Sequence, residues 1–473
     1  MLAGIAKCRA ELEAFAPDVV IVWGDDRHVA GEGSAEFHRT ESDRRPGLEP
    51  PYVRRAGLRT FSATRRREIP MNHKNVRIAF VAAVTVTALA GCGSGSDDAG
   101  TELAGEPIRI GFFNSEDAPG SSFNLPGATL GAKAAVDQVN ADGGIDGRPL
   151  ALVACATKAT PDGTTDCANK FVDDEVDVVL KGGDGNNAVA IPIVTEAGIP
   201  YFAGTAPTSA EEQSDPGVIS FTAGGYAQFI AMVPFAREQG FNSMAAAYIN
   251  VPSIVSLVQQ ATPLLTEAGV KVQDLPLDPA ATDLTPIAGQ IASAAPDAVF
   301  VSGTESQCIS LMRALTSLGY DGAAVITASC ATPSFESAVA GYEGVVYVDA
   351  LLTTLDSSNK ETERMLAAFD EYEPGAKGQS YSDIGYSGVV TLAGVLRAAV
   401  ENSEDTPFTV EGLNSAAKGL PVSLTNGTTM DCDGAGSAVP TACSWSALMY
   451  EFEGSGSYSF VEAFDTAELS SNG

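Results

Sequence analysis

The sequence predicts an α/β protein of two Rossmann-like lobes, each a parallel sheet covered by helices, with three crossings of the chain between them. Three observations carry this. Short apolar runs alternate with helical patterns of about ten to fifteen residues, the rhythm of strand–helix–strand units. The rhythm comes in two successive series, over residues 108–221 and 244–326. After Val345–Val348 the chain goes on into more helices and a last strand, so it returns to a lobe it has already left.

The elements follow in order from the amino end. Residues 1–70 are Arg-rich towards their end (Arg54, Arg55, Arg59, Arg65, Arg66, Arg67) and carry Pro46, Pro50 and Pro51, a composition that reads as a non-native extension. Within it, Ala16–Asp26 reads as a strand ending in an acidic turn. It resembles a strand of class III extradiol ring-cleavage dioxygenases, over too few residues to carry an activity. Met71 is the predicted start. Lys74 and Arg77 precede an apolar run, Ile78–Ala90, that is too short to span a bilayer. Leu89-Ala90-Gly91-Cys92 then resembles the lipobox of a bacterial lipoprotein signal. On that reading residues 71–91 are removed, Cys92 is acylated, and the protein sits outside the cytoplasmic membrane. Residues 92–106, rich in Gly, Ser and Asp, read as a flexible tether.

Strands are expected at Ile108–Phe113, Leu150–Val153, Val176–Leu180, Ile199–Phe202 and Val218–Phe221, then at Met244–Tyr248, Val270–Leu275, Ala298–Val301 and Ala324–Ile326. The helices between them are expected at Ala128–Asn140, Thr164–Asp174, Ala188–Ala197, Ala227–Gln239, Val255–Ala268 and Ser306–Leu318. The return comprises helices Thr362–Glu371, Asp383–Glu401 and Thr409–Lys418, a Cys432–Cys443 hairpin, and strand Ala447–Phe452. Crossings are placed near Thr222–Gly225, near Asp349–Thr353 and after Cys443. Lobe 1 is thus expected over 107–223 plus 350–445, and lobe 2 over 224–349 plus 446–473.

Composition narrows the function classes. The segment before Cys92 holds 14 of the 28 Lys/Arg and 11 of the 60 Asp/Glu, so the remainder carries 14 and 49, a net charge of −35. Such a surface repels nucleic acid and anionic lipid headgroups. All three histidines (His28, His38, His73) fall in the removed part. Their loss removes Ser-His-Asp and Cys-His catalysis and His-ligated zinc, so the chain is read as a non-enzyme with no cofactor and no metal. Six cysteines follow Cys92 as near neighbours, and an even count in an exported chain reads as disulfides. Six cysteines permit 15 connectivities. The reading taken is sequential: Cys155 with Cys167, Cys308 with Cys330, Cys432 with Cys443. Loops this short contribute up to about 3 kcal/mol each in the chain-entropy model.

Three stretches carry a family resemblance: Ile108-Arg109-Ile110-Gly111-Phe112-Phe113, Gly131-Ala132-Lys133-Ala134-Ala135-Val136, and Val139-Asn140-Ala141-Asp142-Gly143-Gly144-Ile145-Asp146-Gly147-Arg148-Pro149-Leu150. With Ala197-Gly198-Ile199-Pro200 they resemble the branched-chain amino-acid type of ABC-transporter solute-binding protein, from about residue 107 to about 455. The resemblance implies a type I periplasmic-binding fold, two lobes joined by three strands, that closes on a small ligand like a hinge. It implies a monomer held by its lipid anchor, with an ABC permease and ATPase subunits as partners. The rivals are a ligand-sensing receptor ectodomain on the same fold and an extracellular hydrolase working with carboxylates such as Asp184 and Glu305.

In open parallel sheets ligands bind beyond the carboxyl ends of the strands. The candidate residues are therefore Asp184, Gly185, Asn186 and Asn187, then Gly204, Thr205, Ala206 and Thr208, and across the cleft Thr304, Glu305 and Ser329. Several of them, among them Asp184, Asn186 and Thr205, are equally good turn and cap residues. Amino-acid-binding members of the resembled family place Ser/Thr where Asp184 stands, an acid near Ser329 and an aromatic near Thr304. This chain departs at all three. Asp184 or Glu305 is therefore expected to pair with a ligand amine or hydroxyl, and the ligand class widens from amino acids to amides and related polar metabolites.

Overall fold

A computed structural model describes residues 103–119, 121, 124–204, 207, 209–352, 355–403, 407–422, 428–432 and 439–470. The expected signal, the lipobox Cys92 and the expected non-native extension lie outside the described residues. The first sheet is built from β1 (Ile108–Asn114), β2 (Leu150–Ala156), β3 (Val178–Lys181), β4 (Tyr201–Ala203) and β5 (Val218–Ser220) in the order β2-β1-β3-β4-β5. All its pairings are parallel. The intervening helices are α1 (Pro126–Ala141), α2 (Pro161–Asp173), the short α3 (Ile191–Glu196) behind a 3-10 turn at Asn187–Val189, and α4 (Ala210–Ser214).

The second lobe follows the same rhythm. It runs α5 (Gly225–Gln239), β6 (Ser243–Ile249), α6 (Pro252–Glu267), β7 (Lys271–Leu277), α7 (Thr285–Ala294), β8 (Ala298–Ser302), α8 (Glu305–Ser317), β9 (Ala323–Thr327), α9 (Pro333–Ala338) and β10 (Val346–Ala350). The chain then returns as α10 (Lys360–Glu371), α11 (Ser382–Asn402) and α12 (Val410–Ala417). It finishes with β11 (Ser446–Gly454), β12 (Ser457–Asp465) and α13 (Ala467–Ser470). The second sheet has the order β12-β11-β10-β9-β8-β6-β7; the β10–β11 and β11–β12 pairings are antiparallel and the rest parallel.

Every expected strand is present within one to three residues at either end. Five elements were not expected: α4, α7, α9, β12 and α13. The strand β12 is mostly exposed along the sheet edge, so it lacks the apolar run that marks the others. Three disulfides join Cys155 to Cys167, Cys308 to Cys330 and Cys432 to Cys443. The expected hairpin between the last pair falls largely on residues 433–438, outside the described set.

The Asn140–Leu150 motif has a local explanation. Asn140 at the end of α1 bonds β2 twice, donating from Nδ2 to the Leu150 carbonyl (3.0 Å) and accepting the Leu150 N–H at Oδ1 (2.7 Å). Between them the backbone turns through positive φ at Gly143, Gly144, Asp146 and Gly147. A Cβ at Gly144 would come 2.1 Å from the Arg148 carbonyl oxygen, so no other residue fits there.

Lobe 1 holds one apolar cluster between its sheet and α1, α11 and α12, and a second on the opposite face under α2 and α3. Lobe 2 repeats the arrangement, with α5 and α6 on one face and α7, α8 and α9 on the other. The 21-residue α11 is long and apolar enough to cross a membrane by length and composition; here most of it is buried in lobe 1. Its approach to α1 is backbone on backbone. A Cβ at Gly131 would lie 1.8 Å from the Ser382 carbonyl oxygen, and one at Gly385 would lie 2.0 Å from that of Ala128.

The crossings run side by side. Ser220 at the end of β5 donates its N–H to Thr441 (2.9 Å) and accepts from the Cys443 N–H (2.8 Å), while the Ala223 N–H donates to Ser444 (2.7 Å). The middle crossing leaves β10 at Leu351, which packs on lobe 2, and enters lobe 1 at Leu352.

Gly131→Ala should therefore cost about 3 kcal/mol, the upper end of the range for overpacking, in a urea unfolding titration. Gly394→Ala on the same α11, where a Cβ meets nothing within 4 Å, should instead add about 0.5–1 kcal/mol.

Candidate functional site

The carboxyl ends of both parallel sheets face the cleft, and the candidate residues gather there in two groups. On lobe 1 the end of β1 is pinned by Asn114. Its amide donates to the Leu125 carbonyl (2.6 Å) and the Thr129 hydroxyl (3.2 Å), and its Oδ1 accepts the Gly183 N–H (2.9 Å). This brings the loop after β3 down beside the start of α1.

Asp184 follows in that loop and is 7 % exposed. Its carboxylate accepts hydroxyls from Thr157 (2.5 Å), Ser115 (2.9 Å) and Thr164 (3.4 Å), and the backbone N–H of Asn186 (2.7 Å). All four donors belong to lobe 1, so this carboxylate spends its lone pairs inside its own lobe. Gly185 is exposed, Asn186 half-buried and Asn187 fully buried. Asn187 donates to the Ser209 hydroxyl (3.4 Å) and also reaches the Tyr201 phenol.

Behind the loop lies a buried ionic cluster. Lys181, the last residue of β3, meets Glu212 of α4 at 2.8 Å, and both side chains are fully buried. The Tyr201 hydroxyl donates to Glu212 Oε1 (2.8 Å). Burial first, and then the Glu212 carboxylate, push the Tyr201 phenol well above its ordinary value. Gly204 at the end of β4 is buried; Thr205, Ala206 and Thr208 lie outside the described residues.

On lobe 2, Thr304 caps α8. Its hydroxyl accepts the Gln307 N–H (3.4 Å), and the Gln307 side chain accepts the Thr304 N–H (3.2 Å). Glu305 accepts a hydrogen bond from the Thr332 hydroxyl (2.5 Å). Ser329 sits in the 3-10 turn Ala328–Cys330 after β9, its hydroxyl 3.0 Å from that of Thr327. Asp184 and Glu305 are thus each engaged by hydroxyls of their own lobe.

The lobes meet at Ser329. The Ser380 hydroxyl of lobe 1 donates to the Ser329 carbonyl (3.2 Å), and the Tyr381 phenol reaches the Ser329 side chain. Tyr381 has φ 68°, the left-handed region that costs a non-glycine residue about 1–2 kcal/mol. Its ring lies against Gly183, where an added Cβ would come within 3.3 Å of it. Burial raises the Tyr381 phenol above its ordinary value; the Asp383 charge acts in the same direction and the Ser329 contact against it.

Beside this contact a cavity of about 410 Å³ opens between the lobes. The returning chain supplies an apolar wall from Met365, Phe369 and Leu355, the last packed on the apolar cluster of lobe 2, and a polar rim from Ser380, Ser382, Lys377 and Asp383; lobe 2 supplies Ser329 and Thr332. Neither Ser380 nor Tyr381 was among the expected site residues. Both lie on the returning part of the chain, before α11, and the left-handed φ of Tyr381 has no sequence signature. Among the described residues no group of three or more His, Cys, Asp or Glu is placed to hold a metal ion. What the cavity presents is hydroxyls, the Lys377 and Asp383 charges and one apolar wall, the means of reversible capture; of the expected residues that are described, Ser329 alone lines it.

Asp184→Ala should cost about 2–4 kcal/mol in urea unfolding, because it strands several buried donors at once. Gly185→Ala beside it, facing open space, should change stability by less than about 0.5 kcal/mol.

A family model described as periplasmic binding protein matches residues 107–445. No curated protein matches the chain. Among solved structures, a fatty acid ABC transporter substrate-binding protein from Thermomonospora curvata is similar at 17 % identity and a TM-score of 0.62, covering 79 % of this chain and 96 % of that one. A leucine-binding protein from Thermotoga maritima is similar at 16 % identity and a TM-score of 0.60, covering 76 % and 100 %. A solute-binding protein of an ABC transporter from R. palustris, in complex with benzoate, is similar at 14 % identity and a TM-score of 0.59, covering 76 % and 96 %. At these identities the likeness is one of fold.

Proposed function

The chain belongs to the periplasmic binding protein family, and from that premise we propose that it is the lipid-anchored, extracytoplasmic solute-binding component of an ABC importer. The observation that carries this is the cavity between the lobes, walled by both and bridged at its edge by the Ser380–Ser329 contact. A solute held there touches both lobes only when they are together, so its binding shifts the hinge towards the closed form. Moving such an equilibrium from 1:99 to 99:1 takes about 5.5 kcal/mol of preferential binding. The closed form is what a permease with its ATPases would receive.

The solute is a small polar one with an apolar part: an amino acid, an amide or a related metabolite. The apolar wall of Leu355, Met365 and Phe369 takes its body, and the hydroxyls of Ser329, Thr332, Ser380 and Ser382 take its polar end. The fold neighbours named for leucine, for fatty acid and for benzoate support this breadth. Cys92 is the acylation site, the chain works as a monomer, and no covalent step or cofactor is involved.

Two measurements test this reading. Calorimetry of residues 92–473 against leucine, benzoate and octanoate, alongside mass spectrometry of any co-purified solute, should find one binder. Tyr381→Ala should weaken that binder at least tenfold, whereas a protein that binds none of the probes and carries no solute speaks against capture. Expressed from Met71 in a bacterial host, the protein should fractionate with membranes, and Cys92→Ser should release it; a variant that stays membrane-bound removes the anchor.

A further inference from the structure

Asp349 is unlike every other acid in the described structure. It is fully buried, and it is the one carboxylate among the described residues with both oxygens buried and without a hydrogen-bond partner. Buried carboxylates elsewhere are matched: Glu212 by Lys181 and Tyr201, Asp184 by three hydroxyls.

Its position is as informative as its isolation. Asp349 is the last residue but one of β10 and pairs in register with Thr327 of β9 and Met449 of β11. It lies on the sheet face that carries Tyr347, the face covered by α5, and the Gln228 amide of α5 donates to its backbone carbonyl at 3.2 Å. All three crossings root here. The helix α5 begins just after the first, β10 ends at the second, and β11 begins just after the third. The apolar cluster on this face runs on past the sheet into the crossings themselves, through Ala223, Leu351, Val439, Ala442 and Trp445. On the hinge-bending reading, the bend takes place at the edge of this cluster.

We propose that Asp349 couples the hinge to a proton, being protonated while the lobes meet and giving the proton up when the hinge opens and water reaches it. The coupling rests on the hinge-bending reading above. The carboxyl has no cation to ionise against. The facing elements present Gln228 from α5, Thr327 from β9 and Met449 from β11, and the titratable pair on the same face, Tyr347 and Glu451, stands one row back towards the start of β10. Burial accordingly holds the carboxyl well above the usual carboxylate range. A carboxyl raised in this way contributes stability that is complete below the unfolded-state range and is lost as pH rises towards the folded value.

The test is the distance between spin labels placed one on each lobe of the mature chain, followed from pH 5 to pH 9 in the wild type and in Asp349→Asn. In the wild type the ratio of open to closed forms should rise with pH, by up to about tenfold per unit for one proton. In Asp349→Asn, a neutral isostere, it should stay at the acid-side value. Two populations whose ratio ignores pH, or a pH response identical in both proteins, overturn the coupling while leaving the hinge intact. A single fixed distance at every pH and with every solute probe overturns the hinge reading and this inference together.

Discussion

Lobe 1 cannot be completed by the chain that starts it, and the contact that completes it is backbone against backbone. The helix α1 offers Gly127 and Gly131, α11 offers Gly385, and each would place a Cβ within about 2 Å of a carbonyl oxygen across the contact. Two helices that approach this closely are not interchangeable with any looser pair, because interiors are packed to crystal density. The strand–helix series that begins at Ile108 must therefore wait for residues some 250 positions later. Having built the second lobe in between, the chain has to come back, and then leave once more to form β11 and β12. Three crossings follow from one requirement, and three short crossings are what a hinge is made of. Ser220, giving its N–H to Thr441 and accepting that of Cys443, ties two of them into one ribbon.

The buried charges sort by what they are near. Removing an ion from water costs several kcal/mol, recovered only where a partner and further hydrogen bonds stand in fixed places. Lys181 and Glu212 meet that condition deep in lobe 1, with Tyr201 as a third member. Asp184 meets it without a cation, through three hydroxyls and a backbone N–H. Both arrangements stiffen the loops that face the cleft, so lobe 1 presents a preformed wall. Asp349 meets none of it, and it sits at the root of the three crossings. A neutral acid at the root of the crossings is tolerable in a way that an ion there is not.

Much of the fold was legible because buried parallel strands read as continuous apolar runs and amphipathic helices as a 3.6-residue rhythm. The misses have physical reasons. The strand β12 is an exposed edge, its partner supplied by β11 across a tight turn at Gly454–Gly456 with positive φ throughout. The helix α7 is ten residues long and carries Pro286 at its second position but no acidic first turn or side-chain cap, so it reads as loop. The site was legible as positions and not as roles. Asp184 draws the eye as a charged residue beyond a strand, yet what it does depends on Ser115 and Thr157, 69 and 27 residues away. No local pattern records those hydroxyls. Tyr381 was missed for the same reason: it becomes a cleft residue only because α11 folds back onto α1.

The cross-lobe contact is modest by design of its chemistry. One hydroxyl–carbonyl bond from Ser380 and a phenol at Ser329 together stabilise the meeting of the lobes by a few kcal/mol at most, since a net hydrogen bond contributes about 0.5–1.5 kcal/mol. A stronger latch would hold the lobes shut without a solute, and none at all would leave the whole cost of closure to the ligand. The groups that bridge the cleft are also groups that a solute can replace: a hydroxyl, a carbonyl and a phenol, all able to exchange one hydrogen-bond partner for another. The balance between lobe-to-lobe and lobe-to-solute bonds therefore sits within the few kcal/mol that a small molecule supplies. On the proposed reading, a solute would compete at the polar rim around Ser329 more readily than at Asp184, whose carboxylate already accepts four hydrogen bonds within lobe 1.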